Sequence, residues 1–266
     1  MAIYSRPIKK EFPKIASVYV DDSSCNIGDV AHTLLGAINF QDEGNALASL
    51  IEIKEKVGIS PQEEIKWNSD KFTIEQRNFI SEHILPVLGE TRGFLIISEH
   101  GKQAAALQLA THLSDFCRAN DFWGFIIRFD NGIVQDSSEF DRHAYSLSPT
   151  CFGWSNVDSA HDQLMQCADL FVGFQKLRID FGLERADRKR MVELDAYDGV
   201  RGEFELEWYV RLSLRHSLWG DIERPNEGQP WKKNFGLGVR VFSSVPDDIM
   251  DKALTYLRRE YLGCIY

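Results

Sequence analysis

The sequence predicts an α/β protein, a mixed sheet covered by helices and followed by a smaller C-terminal α+β appendage. Three observations predict it. Strand-like and helix-like apolar patterns alternate between residues 15 and 178. The length of 266 residues suits one large domain with an appendage better than two independent domains. After Arg178 the texture turns charged at 184–190 and rich in Pro, Gly and Asn at 224–229. The expected division is therefore 1–180 for the main domain and 181–266 for the appendage.

Residues 15–21 (IASVYVD) are a β-branched and aromatic run ending in acids. Residues 30–38 (VAHTLLGAI) are a second apolar run after a turn containing Asn26 and Gly28, so the chain opens with a hairpin. Leu47, Leu50, Ile51 and Val57 then recur at helical spacing until Gly58 and Pro61 stop the helix. A short strand at 64–67 precedes a helix over 73–88, where Thr73 and Gln76 form a capping box and Ile80, Ile84 and Val87 share a face. Residues 93–98 (GFLIIS) read as a strand, 102–119 as a helix with Leu109, Leu113 and Phe116 on one side, and 123–129 (WGFIIRF) as another strand. An edge strand at 150–154 and a helix at 159–177 complete the main domain. In the appendage, 203–214 alternates, with Phe204, Leu206, Trp208, Val210, Leu212 and Leu214 on one parity. That favours a strand, although the composition also suits a helix. Residues 235–241 alternate again, and Pro246 starts a last helix toward Arg259.

Composition narrows function. Lys and Arg number 30 against 40 Asp and Glu, so the net charge of −10 offers no global attraction to a polyanion, and a nucleic-acid role needs a local basic surface or a metal. No window approaches the roughly 18 apolar residues of a membrane span. Residues 1–14 carry charges with no apolar stretch behind them, which argues against a secretory leader. Five cysteines without a C-x-x-C pair argue against a disulfide framework or structural zinc and favour the cytoplasm.

The informative residues are acids. Asp21 continues the strand face of Tyr19 and Asp22 that of Val18 and Val20, at the point where the first strand is expected to open into a loop. Asp130 closes the run at 125–129, and Glu64 opens the short strand with Lys66 beside it. Each has an ordinary explanation as well, a turn for Asp21 and Asp130 and a solvated acid for Glu64. Asp169 is different, because Cys167, Ala168, Leu170, Phe171 and Val172 surround it with apolar neighbours. A carboxylate there needs a partner, whether a cap, a salt bridge or a ligand. Asp162, Met165, Asp169 and Val172 fall in one helical stripe, so Asp169 can face the sheet. Acids at the ends of two neighbouring strands and on a helix packed across them form an oxygen ligand cluster suited to magnesium or manganese. The chemistry that calls for such a site is phosphodiester cleavage by two ions about 4 Å apart.

The motifs V-Y-V-D-D-S (18–23), E-I-K-W (64–67), a strand ending in Asp130, V-D-S (157–159) and Q-C-A-D-L-F-V-G (166–173) together resemble the domain-of-unknown-function 3800 family. Its pattern is I-D-E-S-G on a first strand, then S-K, then Q-L-A-D-L-hydrophobic-A-G on a helix. The likeness covers about residues 15–178. Asp22 replaces the usual Glu, Ser24 the Gly and Cys167 the Leu, while the first acid, Ser23 and A-D-L are kept. The resemblance implies a ribonuclease H-like fold and a nuclease presumed to act on DNA or RNA, in a defence or mobile-element setting. It implies Asp21, Asp130 and Asp169 as metal ligands, Glu64 as a fourth catalytic acid, and Asp158 and Lys66 in lesser roles.

Other chemistries lack their residues. Ser23 stands where a haloacid-dehalogenase-like phosphatase needs its second aspartate, and Gly101-Lys102 is followed by Gln103 where a P-loop needs Ser or Thr. Gly153-Trp154-Ser155 lacks the closing glycine of a nucleophile elbow, and no H-E-x-x-H occurs. The serious alternative is a non-enzymatic interaction scaffold, with Trp208, Trp219 and Trp231 as a partner surface or as the appendage's own core. Basic residues such as Arg185, Arg188, Arg211, Lys232 and Lys233 could contact phosphates, but acids interleave with them. A homo-oligomer is compatible with the sequence.

Overall fold

A computed structural model describes residues 15–66, 71–119, 122–189, 191–195, 201–214, 217–218 and 238–257. The chain runs β1 (Ile15–Ile27), β2 (Val30–Asn39), α1 (Glu43–Val57), α2 (Ile74–Glu90), β3 (Arg92–Ser98), α3 (Gly101–Ala119), β4 (Gly124–Asp130), α4 (Ser137–Ser146), β5 (Cys151–Val157) and α5 (Gln163–Gly182). Beyond it come β6 (Met191–Asp195), β7 (Arg201–Glu205), α6 (Leu206–Leu214), β8 (Val239–Phe242) and α7 (Asp247–Leu254). No described helix is long and apolar enough to cross a membrane.

Six strands make one mixed sheet in the order β5-β4-β1-β2-β3-β8. β2 lies antiparallel to β1 and to β3, whereas β4 runs parallel to β1, β5 parallel to β4 and β8 parallel to β3. The opening hairpin follows from Gly28, whose φ of 59° supplies the left-handed turn. The predicted β1 stops too early. It continues through the polar D-D-S-S-C-N segment because Cys25 and Ile27 still alternate into the core. Asp21 and Asp22 therefore stand within a strand and not at its end. What ends there is the β4 pairing, whose last partners are Val20 and Phe129.

Each face of the sheet has its own core. On one, α3 and α4 cover Val18, Val20, Phe125, Ile127 and Phe129. On the other, α5 lies across β1 and β2, with α1, α6 and α7 packed against it and α2 behind α1 and α6. The helix-start signals act as the sequence predicts. Thr73 and Gln76 form the reciprocal capping box of α2 and Gly58 (φ 75°) closes α1, while Asp42, which the sequence did not single out, caps α1.

Two expectations differ. Glu64, Ile65 and Lys66 form an extended segment without strand pairing, and Trp67 lies outside the described residues. Residues 206–214 are helical rather than extended. Leu206, Val210 and Leu214 share a parity but are also spaced i, i+4, i+8, and all three are buried as a helical stripe near α2 and α5. Helix α4 was not anticipated, and Asp136 caps it while Phe140 anchors it. Residue 180 falls inside α5, and the chain beyond it supplies β8 to the same sheet and α6 and α7 to the same core, with β6 and β7 as a separate two-stranded sheet. Trp219, Trp231, Lys232, Lys233 and residues 235–237 lie outside the described residues.

Helix α5 sits close because two strands present glycine to it. A Cβ on Gly36 would meet the Val172 Cβ at 2.7 Å, and one on Gly93 would meet the Phe171 Cζ at 2.5 Å. Gly36→Ala is expected to destabilise the fold by about 1–3 kcal/mol through overpacking. Urea unfolding checks this, and an unchanged midpoint would contradict the tight α5 contact.

Candidate active site

The two faces of β1 separate the paired aspartates. Asp21 follows Tyr19 toward α5, and Asp22 follows Val18 and Val20 toward α3, where its carboxylate accepts a 2.7 Å ion pair from Lys102. Asp21 is only 8 % exposed, and one of its oxygens accepts the backbone N–H of Asp22 at 2.6 Å. Burial pushes its carboxyl up to about 8, and the charge of Asp169 adds to this more than those of Asp130 and Asp22. Asp169, partly buried on α5, is pushed up to about 6 for the same first reason. Lys66 offsets that rise, while Glu64 and Asp130 reinforce it.

Asp130 ends β4 as predicted. Its Oδ1 accepts the backbone N–H of Ser159 at 3.2 Å, yet burial still raises its carboxyl above the ordinary value. Glu64 is held by the same residue, because the Ser159 hydroxyl donates to its Oε1. Ser159 thus links two of the four acids. The loop bearing Glu64 is fixed from below by buried Lys54, whose ammonium donates to the Pro61 carbonyl at 2.6 Å, and by Ile65, which is fully buried. With Ile65 turned in, Glu64 and Lys66 turn out and pair at 3.4 Å, and the Glu64 charge raises the Lys66 ammonium. Gln166, buried on α5, holds the neighbouring loop by donating to the Ser159 carbonyl at 3.1 Å.

The four predicted acids thus share one neighbourhood. Asp158 does not join them: it accepts the Ala160 backbone N–H at 2.9 Å and faces His161 at 3.4 Å, closing a turn. Ser159, Lys54 and Lys102 carry parts of the arrangement that the sequence did not single out. The signal for Ser159 was its place in V-D-S, whereas Lys54 looks like any helix lysine until the loop over it is seen.

All the donors are carboxylate oxygens around partly buried negative charge, a chemistry that suits a hard divalent cation. Among the described residues, however, no three His, Cys, Asp or Glu side chains converge closely enough to ligate one ion as they stand. The donor type is the kind that magnesium or manganese takes, but the carboxylates do not close on one ion in this arrangement. No family model, curated protein or solved structure matches the chain.

A pH dependence follows from Asp21. Its ordinary value is 3.8 and its folded value about 8. Between those values the unfolded chain gives up a proton that the folded chain keeps, so stability falls as pH rises and levels off above about 8. In EDTA the melting temperature is expected to fall from pH 5 to pH 8, and Asp21→Asn to flatten that fall and raise stability at pH 8. Identical slopes in the two proteins, followed by calorimetry, would contradict the buried charge.

Proposed function

We propose that the chain hydrolyses nucleic-acid phosphodiester bonds at this acidic site with magnesium or manganese, on a ribonuclease H-like fold. The observation that carries the reading is the burial of Asp21 and Asp169 near each other, with Asp130 and Glu64 adding like charge. A group of this kind costs stability unless a cation joins it. The fold part is supported by β1 at the centre, with antiparallel β2 and β3 on one side and parallel β4 and β5 on the other. The resemblance of 18–23, 64–67 and 166–173 to the domain-of-unknown-function 3800 family points the same way.

In this reading Asp21, Asp130 and Asp169 would hold the metal and Glu64 would complete the set. A bound divalent ion supplies an activated water and a counter-charge for the leaving oxygen. The protein's part is orientation. The Ser159 N–H and hydroxyl fix one oxygen each of Asp130 and Glu64, and the second Glu64 oxygen pairs with Lys66. Lys66, largely exposed beside Glu64, is placed to hold a substrate phosphate. With a net charge of −10, nucleic acid must be drawn locally, so cleavage is expected to weaken steeply with salt. A second reading, the non-enzymatic scaffold, is favoured by the spread of the carboxylates, which do not close on a single ion as they stand.

Calorimetric titration with Mg2+ or Mn2+ separates the two readings. Binding is expected in the wild type and its loss in Asp21→Asn/Asp169→Asn. Cleavage of labelled single- or double-stranded DNA or RNA is expected to fall by at least about a thousandfold in Asp169→Asn, with the melting temperature kept or raised. Cleavage at the wild-type rate by that variant would sink the assignment.

A further inference from the structure

Helix α5 carries a glycine, Gly173, that packing does not explain. It lies well inside a helix spanning Gln163–Gly182, where glycine is a poor choice, and its φ is not in the left-handed region. A Cβ built on it would meet nothing within 4 Å. Gly36, Gly93 and Gly182 each have a neighbour that a Cβ would strike, but Gly173 borders open space. Its missing side chain leaves the helix backbone bare on that side.

That space is a groove. A recess of about 310 Å3 is lined by Ser23, Lys66, Asp169, Gly173 and Lys176 among others. A second recess, of about 360 Å3, continues past Ser24 and Asn26 to Arg185 and shares Lys176 and Asp180 with the first. Asp169, Gly173, Lys176 and Asp180 are spaced i, i+4, i+7 and i+11, one face of α5, so the groove leads from the acids along the helix. At 1.5 Å per residue, Lys176 stands about 10 Å from Asp169 along the axis. Both recesses are walled mainly by polar side chains. Lys66 stands at the acid end, Lys176 in the middle, held by its 2.5 Å pair with Asp180, and Arg185 at the far end, donating to the Asn26 carbonyl.

We propose that this groove binds the sugar-phosphate backbone of a single nucleic-acid strand, which crosses bare Gly173 with phosphates at Lys66 and Lys176. This rests on the phosphodiesterase reading for the chemistry at Asp169, but not for the binding. One strand suits a polar groove walled by β1 and α5, and Ser23, on the same face of β1 as Asp21, offers a donor to phosphate or sugar without reading bases.

The test uses the full chain with Asp169→Asn as a common background, so that binding is read without cleavage. Fluorescence anisotropy follows labelled mixed-sequence single strands of about 12 nucleotides, DNA and RNA, across a salt series. Gly173→Leu, which fills the groove, is expected to weaken binding about tenfold or more. Lys176→Ala is expected to weaken it across all sequences and to lower the salt slope by about 0.7, the share of one phosphate contact on a single strand. Gly173→Ala controls the fold, and its melting temperature should stay level or rise. A fall there would show that the glycine serves packing and would overturn the proposal, as would absence of binding in the Asp169→Asn background or unchanged binding in Gly173→Leu and Lys176→Ala. Groove binding without any cleavage by the wild type in Mg2+ or Mn2+ would support the groove and remove the phosphodiesterase reading. Cleavage by an otherwise wild-type Gly173→Leu protein with unchanged KM would do the reverse.

Discussion

The seating of α5 on two glycines sets the geometry of everything near the acids. Gly36 pairs across the hairpin with Asp21, and Val172, three residues after Asp169, presses on that same glycine. Depth of seating and separation of the two carboxylates are therefore one variable. A helix lifted by even a methyl group would move Asp169 away from Asp21 on β1 and toward solvent, where their mutual repulsion would be screened. The register that places Gly36 opposite Asp21 belongs to the hairpin, so the turn at Gly28 is upstream of the chemistry.

Helix α5 is also held from behind. Arg178 is buried on its far side and donates to the Tyr256 carbonyl at 2.8 Å and to Gln175 Oε1 at 2.9 Å, while Gln175 reaches the Ser217 hydroxyl at 3.3 Å. Burial lowers the Arg178 guanidinium to about 9, the mark of a charge enclosed at a cost and kept for its directional bonds. A Cβ on Gly182 would strike the Lys252 carbonyl oxygen at 2.2 Å, so α7 packs on the end of the same helix. Ser217 accepts the Gly93 backbone N–H on its carbonyl at 2.7 Å, and β8 extends the sheet beyond β3. The C-terminal segments thus buttress the helix that carries Asp169 and Gly173.

Most strands and helices of the first 180 residues were legible, the helices because each buries one face at a period of 3.6 and the central strands because both their faces are buried and read as short apolar runs. Where that rule weakens, so did the reading. Residues 206–214 satisfy both periods at i+4 and i+8, and only the neighbours α2 and α5 select the helix. The polar stretch 22–26 hides a strand because its alternation is carried by Cys25 and Ile27 alone. Glu64 was assigned to a strand because an apolar Ile65 between two outward charged residues looks the same in a loop pinned by Lys54. Of the site, Asp21, Asp130, Asp169 and Glu64 could be picked out because acids at strand ends or among apolar residues need an explanation. Ser159 was visible only as the end of V-D-S, since the role of a serine after an aspartate in a loop shows only when both of its donors are seen on two different acids. Gly173 was read as part of a motif, and its steric meaning required the open space beside it.

Two independent sacrifices of stability meet on one face of α5. Asp169 is placed where burial and like charge disfavour its ionised form, and four residues on, a glycine weakens the helix with no packing return. A framework selected only for stability would replace both, the aspartate by an apolar or amide residue and the glycine by alanine, for which there is space. A partner surface recognised by shape alone would not require a buried carboxylate pair behind it. Under the proposed reading the two features have one cause, a ligand that brings positive charge to the acids and extends past the glycine, as a metal-bound phosphate on a longer chain would. The same logic explains why the clamp beneath α5 is polar and enclosed. A helix weakened on its outer face needs its position fixed from the inner one, and directional bonds from Arg178 and Gln175 fix it more closely than apolar packing alone would.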